Sequence, residues 1–406
     1  MNSSGYDVII AGAGPSGSMA GYYLAKSGFK VLILEKSVFP RYKVCGGGLT
    51  HKIIAEIPFD LSAVIETTIH SICFSNNFSS VFARSSSEPL MYCTMRETLD
   101  QFLLQQAVNV GVKVGFMQQV TNVEENREGI TVYTKTANFQ SRLVIGADGP
   151  SSIVARISGL RKNISQGLAW EAEIYTNPAI LEKYSDTVFL DWGTFPGGYG
   201  WVFPKKDHFS IGVGGPATLS KQMMPYYQRF LKYLDFDTSY RGGEELITQS
   251  IKSWPIPVKT KKGNVHSGRI MVVGDAAGFA DSLTGEGIYY AVMSGKLAAS
   301  SSIAFLQGKT ENLQSYSDQV NDLLLEELLE GEKIKHIFNT VPLRIHCFVR
   351  DNDRAWRALG KVLRGERSYR DVKLGFGKWS IFWNLASFLA KIIAGWKEKN
   401  FRKSTP

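Results

Sequence analysis

Apolar runs punctuated by glycine set the first elements of the chain. "YDVIIA" at residues 6–11 predicts a buried strand; a glycine-rich turn, a helix to about Ser27 and a second run, "KVLILEK", complete a strand–helix–strand unit. "VKVGFMQQV" reads as another strand. "RLVIGADGPSSIVAR" reads as a strand leading into a helix after Ser151. "GRIMVVGDAAGFADSLTGEGIYYAVMSG" is a strand ending at Gly274 and Asp275, with a helix beginning near Thr284 to Gly287. The stretch "ETTIHSICFSNNFSSVFARSSSEPLMYCTM" and the region from about 167 to 257 carry the strands of a second domain, and from about Thr310 the period is helical. The expected class is α/β. A discontinuous Rossmann-like nucleotide-binding domain (1–60, 91–165, 258–308) carries an inserted antiparallel-sheet substrate domain (61–90, 166–257) and a helical C-terminal region (309–406).

Composition changes this picture little, whereas the placement of charge changes it more. The 406 residues are 44% hydrophobic and 20% charged, ordinary globular material with enough chain for two domains. The net charge of +9 would suggest nucleic acid if it were spread over the fold. It is not spread. From Arg354 to Pro406 there are 13 Lys and Arg against 3 acids, a surplus of +10 that leaves the rest of the chain at −1. A nucleic-acid-binding core is therefore not expected. No uninterrupted apolar run is long enough to span a bilayer, and a strand starting at Tyr6 leaves no room for a signal peptide, so the expected location is cytoplasmic, with peripheral attachment at the inner face of a membrane as an option. Cys45, Cys73, Cys93 and Cys347 show neither a CxxC spacing nor a metal-like spacing with the six histidines, so no metal site is expected.

Candidate chemistry begins in the first turn. Gly12, Gly14 and Gly17 form G-x-G-x-x-G between strand and helix, and Glu35 lies 18 residues beyond Gly17 at the end of the second strand. The first glycine permits the turn, the second lets backbone approach a pyrophosphate, the third lets helix pack on strand, and the acid accepts from an adenosine ribose. The pyrophosphate would rest on the helix N-terminus, where unpaired N–H groups and the dipole favour anions. Ser16 and Lys36 belong to the same set of candidate dinucleotide-binding residues.

Together with this fingerprint, the segments around Asp148 and Asp275 resemble the flavoproteins that include aromatic hydroxylases and geranylgeranyl reductases. That resemblance implies FAD, bound without covalent linkage. It also implies Asp275 on the ribityl chain, backbone at Gly287 and Ile288 facing the flavin pyrimidine, Arg96 near the phosphates, and Val120 as a backbone contact to adenine. Within the group, Pro40, Tyr42, Cys45, Gly46 and Gly47 resemble the P-x-Y-x-x-C-G-G stretch of the geranylgeranyl reductase family. There the cysteine stands beside the flavin, so Cys45 is the candidate catalytic residue, with Gly46 and Gly48 as cofactor contacts. "YGWVFP" is similar to the family's Y-x-W-x-F-P segment and implies that Tyr199, Trp201 and Phe203, which share one face of a strand, bind an apolar substrate. One departure stands out. The family commonly has proline before T-G-E-G, whereas this chain reads Asp281, Ser282, Leu283, which predicts a looser loop.

The expected activity is saturation of carbon–carbon double bonds in isoprenoid chains, with NAD(P)H or another donor as reductant. A flavin-dependent monooxygenase or halogenase is the alternative, although "YGWVFP" only partly matches the W-x-W-x-I-P usual in halogenases. A buried structural role for Cys45 also stays open. In the tail, Trp379, Phe382, Trp383, Leu385, Phe388, Leu389, Ile392, Ile393 and Trp396 follow helical spacing beside Lys and Arg. They predict either a helix at an anionic membrane surface or one packed on the protein itself. Oligomeric state is not legible.

Overall fold

A computed structural model describes residues 5–176, 178–234, 251–375 and 383–404. Trp379 and Phe382 lie outside the described residues. The chain divides into two units: Met1–Tyr42, Glu97–Ser165 and Ile256–Leu329 form one, and Lys43–Arg96, Gln166–Pro255 and Glu330–Pro406 form the other. Residues 43–60 thus group with the second unit, and the C-terminal region is shared between both.

The first unit is built on an eight-stranded sheet. Its parallel core runs Ile270–Val272, Asn138–Gly146, Tyr6–Ala11, Val31–Glu35, Lys113–Phe116. Val8, Ile9, Ile10 and Ile33 are all buried, as the continuous apolar runs require of parallel strands covered on both faces. Helix Pro15–Lys26 follows the first strand, with proline in its first turn, where a missing N–H costs nothing. It packs against helix Ile288–Leu306 at Gly295, where an added Cβ would come within 2.3 Å of the Ser16 carbonyl.

The second unit holds a seven-stranded sheet ordered Lys252–Lys259, Ile164–Ile174, Phe209–Pro216, Tyr199–Pro204, Thr187–Trp192, Ser71–Asn76, Ser79–Ser85. One face is closed by helix Met223–Leu234, whose Met223, Tyr226, Tyr227 and Phe230 bury against Ala172, Ile174, Val202 and Ile211. Strand alternation sends the neighbours of those residues, Glu171, Glu173, Trp201 and Phe203, to the opposite face. A small sheet of Gly48–Thr50, Met91–Cys93 and Thr67–Ile69 completes the unit.

Candidate functional site

In the first unit the glycine fingerprint is shaped by close approaches. Gly12 has φ +101°, and a Cβ there would sit 2.3 Å from the Ala147 carbonyl oxygen; at Gly17 it would sit 2.0 Å from that of Gly12. Neither position admits a side chain. Gly14 differs. It caps the helix at φ −68° with no side-chain cap, and an added Cβ would meet only Arg41 Nη2, at 4.0 Å. Arg41 Nη2 pairs with the buried Asp100 at 3.0 Å, while its Nη1 is buried without a hydrogen-bond partner. An uncapped helix start, an open glycine and a guanidinium with a spare donor fit the pyrophosphate of a dinucleotide. Glu35 is buried, and its carboxylate accepts from Ala13 N–H at 2.8 Å and Ser37 N–H at 3.0 Å. It braces the turn directly, and a ribose would use its remaining lone pairs. Lys36 is exposed beside it.

Ser16 is buried where the fingerprint helix meets Gly274, whose φ of +54° starts the turn of Gly274–Ala277 and whose N–H donates to Ser294 Oγ at 2.9 Å. Asp275 follows in that turn, and its Oδ1 would lie 3.6 Å from a Cβ on Gly287. Gly287 precedes Ile288 at the start of helix Ile288–Leu306, again without a side-chain cap. The structure therefore brings Asp275, Gly287 and Ile288 together. Asp148 is used differently: it accepts from Ser152 Oγ–H, from Ile153 N–H at 2.7 Å and from Val154 N–H at 3.2 Å, tying the start of its own short helix. Burial pushes its carboxyl above the ordinary range. Val120 is buried at the first position of strand Val120–Glu125. The expected looseness before T-G-E-G is corrected. Asp281 is buried and accepts from Leu283 N–H and Thr284 Oγ–H, each at 2.8 Å, while its backbone N–H donates to the Glu286 carbonyl, also at 2.8 Å. A carboxylate closes the loop where the family commonly has proline.

In the second unit the Cys45–Gly48 stretch lies on the aromatic strand. A Cβ on Gly46 would fall 2.7 Å from the Phe203 ring and 3.3 Å from the Trp201 indole nitrogen, and one on Gly48 would fall 3.0 Å from Phe203. A Cβ on Gly47, at φ +67°, would fall 1.9 Å from the Thr94 carbonyl oxygen. Trp201 in turn lies across Gly212 and Gly214, where added Cβ atoms would be 2.3 and 3.1 Å from its rings. Tyr199, 5.5 Å from Trp201 between ring centroids, continues the row. Two of the three rings read as a substrate wall thus carry the glycine segment of their own chain. Arg96 is buried at the start of helix Arg96–Asn109.

Two buried charged side chains not legible as site residues fix this segment. Glu171, fully buried, accepts from Cys45 N–H at 2.8 Å through one oxygen and from Trp201 Nε1–H at 3.0 Å through the other. Lys205, also buried, donates to the Gly46 carbonyl at 2.6 Å. Gly47 N–H points at Cys45 Sγ at 3.4 Å. Behind Glu171, Glu173 accepts from Ser210 Oγ–H at 2.6 Å and makes a 3.0 Å ion-pair contact with His208. Burial and the Glu173 charge push the Glu171 carboxyl up to about 7, against the opposing pull of Trp201, Cys45 N–H and Lys205. Burial acts the same way on Glu173, but there His208 and Ser210 win and hold it below its ordinary range.

The Glu171 shift has a measurable consequence. The folded carboxyl keeps a proton that the unfolded one, near 4.5, gives up, so stability falls as pH rises from about 4.5 to about 7 and levels off above. The drop should be about 3 kcal/mol. Glu171→Gln should flatten that slope while losing one of the two hydrogen bonds, because an amide presents one acceptor to two N–H donors. Denaturant titrations of both proteins across this pH range check it; a variant that keeps the parent's slope would contradict the assignment.

The chain matches an FAD binding domain family over residues 5–180. It is 35% identical over 294 residues to an uncharacterized protein of Methanosarcina barkeri, covering 72% of this chain and 73% of that one. It is 28% identical over 343 residues to a digeranylgeranylglycerophospholipid reductase of Methanocaldococcus jannaschii, covering 82% and 86%. Among solved structures, a geranylgeranyl bacteriochlorophyll reductase-like protein of Thermoplasma acidophilum shares the fold at TM-score 0.71 and 24% identity, covering 82% of this chain and 87% of that one. A flavin-dependent brominase shares it at TM-score 0.68 and 22% identity, covering 89% and 94%.

Proposed function

We propose that this chain, which belongs to the geranylgeranyl reductase family of FAD-dependent oxidoreductases, saturates carbon–carbon double bonds in an isoprenoid or similarly apolar small molecule. The observation that carries the reading is the Cys45–Gly48 segment. Its sequence resembles the family stretch, and its backbone is held from three sides by Glu171, Lys205 and Thr94. FAD, when bound and reduced, supplies the hydride equivalent that saturation requires. Gly12, Gly14, Gly17 and Arg41 would hold its pyrophosphate, Glu35 its ribose, and Asp275 with the Gly287–Ile288 helix start its ribityl and ring end. Saturation also needs a proton on the other alkene carbon, and the Cys45 thiol would give it and recover one from solvent. Its backbone anchor to Glu171 holds the segment from which that thiol projects. NAD(P)H or another donor would renew the electrons.

An anaerobic mixing experiment tests the reading. Reduced protein given an isoprenoid lipid should recover its visible flavin absorbance with oxygen excluded. Recovery only when oxygen is admitted, with or without halide, would place the chain with the monooxygenases or halogenases instead.

A further inference from the structure

Helix Trp383–Ser404 turns its small residues inward and its large apolar ones outward. Ser387 and Ala390 are buried at 5% and 6% exposure. Around them Trp383 Nε1–H donates to Glu330 at 2.9 Å, Thr340 Oγ–H to the Ala390 carbonyl at 3.3 Å, and Lys397 Nζ to the Thr340 carbonyl at 2.7 Å. Positions 383, 387, 390 and 397 form one stripe at about 100° per residue. About half a turn away, Leu385, Phe388, Leu389, Ile392, Ile393 and Trp396 form a second, and each is between 41% and 64% exposed. A surface helix of a globular protein ordinarily does the reverse. Lys391, Lys399 and Arg402, all exposed, border the outward stripe, within a region whose surplus is +10.

We propose that this stripe is a docking surface for an anionic lipid bilayer, with the helix lying in the headgroup plane and its six apolar side chains at the acyl boundary. Charge selects the occupant. A second copy of the chain would bring the same positive field to the same contact, whereas anionic headgroups complement it, at about 1 kcal/mol for each Lys or Arg near the surface. Among the described residues no helix is long and apolar enough to cross a membrane, so the helix lies on the bilayer. Trp396 and the bordering lysines are the residue types that settle at the interface. None of this depends on the reaction, so its failure and that of the reductase reading are separate.

The test is co-sedimentation of the full chain with vesicles of phosphatidylcholine alone and of phosphatidylcholine with phosphatidylglycerol. Binding should favour the anionic vesicles and weaken in high salt. Phe388→Ser/Ile392→Ser/Trp396→Ser should weaken it at least about a hundredfold. Lys391→Ser/Lys399→Ser should weaken it about fivefold per charge on anionic vesicles only. These side chains are exposed, so the unfolding midpoint and FAD content should stay at the parent's values, which separates lost docking from lost folding. Equal sedimentation of parent and apolar-stripe variant would overturn the proposal. So would a parent dimer that the same variant dissociates while vesicles bind neither protein.

Discussion

A Gly12→Val chain should purify without FAD and lose roughly 3 kcal/mol or more of stability, whereas Gly14→Ala should fold normally and hold FAD at least about tenfold more weakly. The two glycines belong to one motif but meet different constraints. At Gly12 a side chain faces φ +101° and a carbonyl oxygen at 2.3 Å, and backbone cannot give way as a flexible side chain would. At Gly14, φ is −68° and the nearest atom stands at 4.0 Å, so alanine costs the free protein nothing and could gain a few tenths of a kcal/mol through the unfolded state. Its methyl would instead occupy the space through which a pyrophosphate reaches the helix start. Denaturant midpoints and flavin titration separate the two effects. If Gly14→Ala binds FAD as tightly as the parent, the pyrophosphate does not approach there.

Cys45→Ser should leave FAD content nearly unchanged and slow alkene saturation by one to two powers of ten, roughly 1.4 to 2.7 kcal/mol at the transition state. The segment's path is set by groups other than the thiol: Glu171 on the Cys45 N–H, Lys205 on the Gly46 carbonyl, and Thr94 N–H on the Gly47 carbonyl at 2.9 Å. Serine keeps the size and an acceptor for Gly47 N–H, so the exchange alters acidity and polarizability with little else. Steady-state rates and the absorbance ratio of flavin to protein read the two quantities independently. Loss of FAD would make Cys45 a packing residue for the cofactor, and a full rate would remove it from the chemistry.

How far the chain was legible follows from the range of the interactions. The fingerprint turn could be read because each glycine answers a constraint set within a few residues or by the neighbouring strand, and the helix ends at Lys26, next to the expected Ser27. The shared face of Tyr199, Trp201 and Phe203 was legible from alternation alone. What those rings face was not, because the glycines they carry come from more than 150 residues earlier. Glu171 and Glu173 in "WEAEI" show the alternation of a half-exposed strand, and only the distant Cys45 N–H and Trp201 indole make a buried acid tenable. The signal available was two acids spaced by two within an otherwise apolar strand. Arg41 sits inside the stretch that drew attention to Cys45, yet its role depends on Asp100 and on the open side of Gly14. Asp281 was read as a missing proline, since local propensity gives no account of a side chain that closes its own loop. In the tail, period revealed the apolar stripe; only packing of Ser387 and Ala390 shows that the stripe points outward.

The most direct test of alkene saturation is mass analysis of geranylgeranyl lipids after anaerobic incubation with the dithionite-reduced, FAD-loaded protein. Hydride plus proton addition predicts products heavier by two hydrogens for each double bond saturated, with none formed by the protein stripped of FAD. Lipids unchanged without oxygen, together with a hydroxylated or halogenated product once oxygen is supplied, would contradict it.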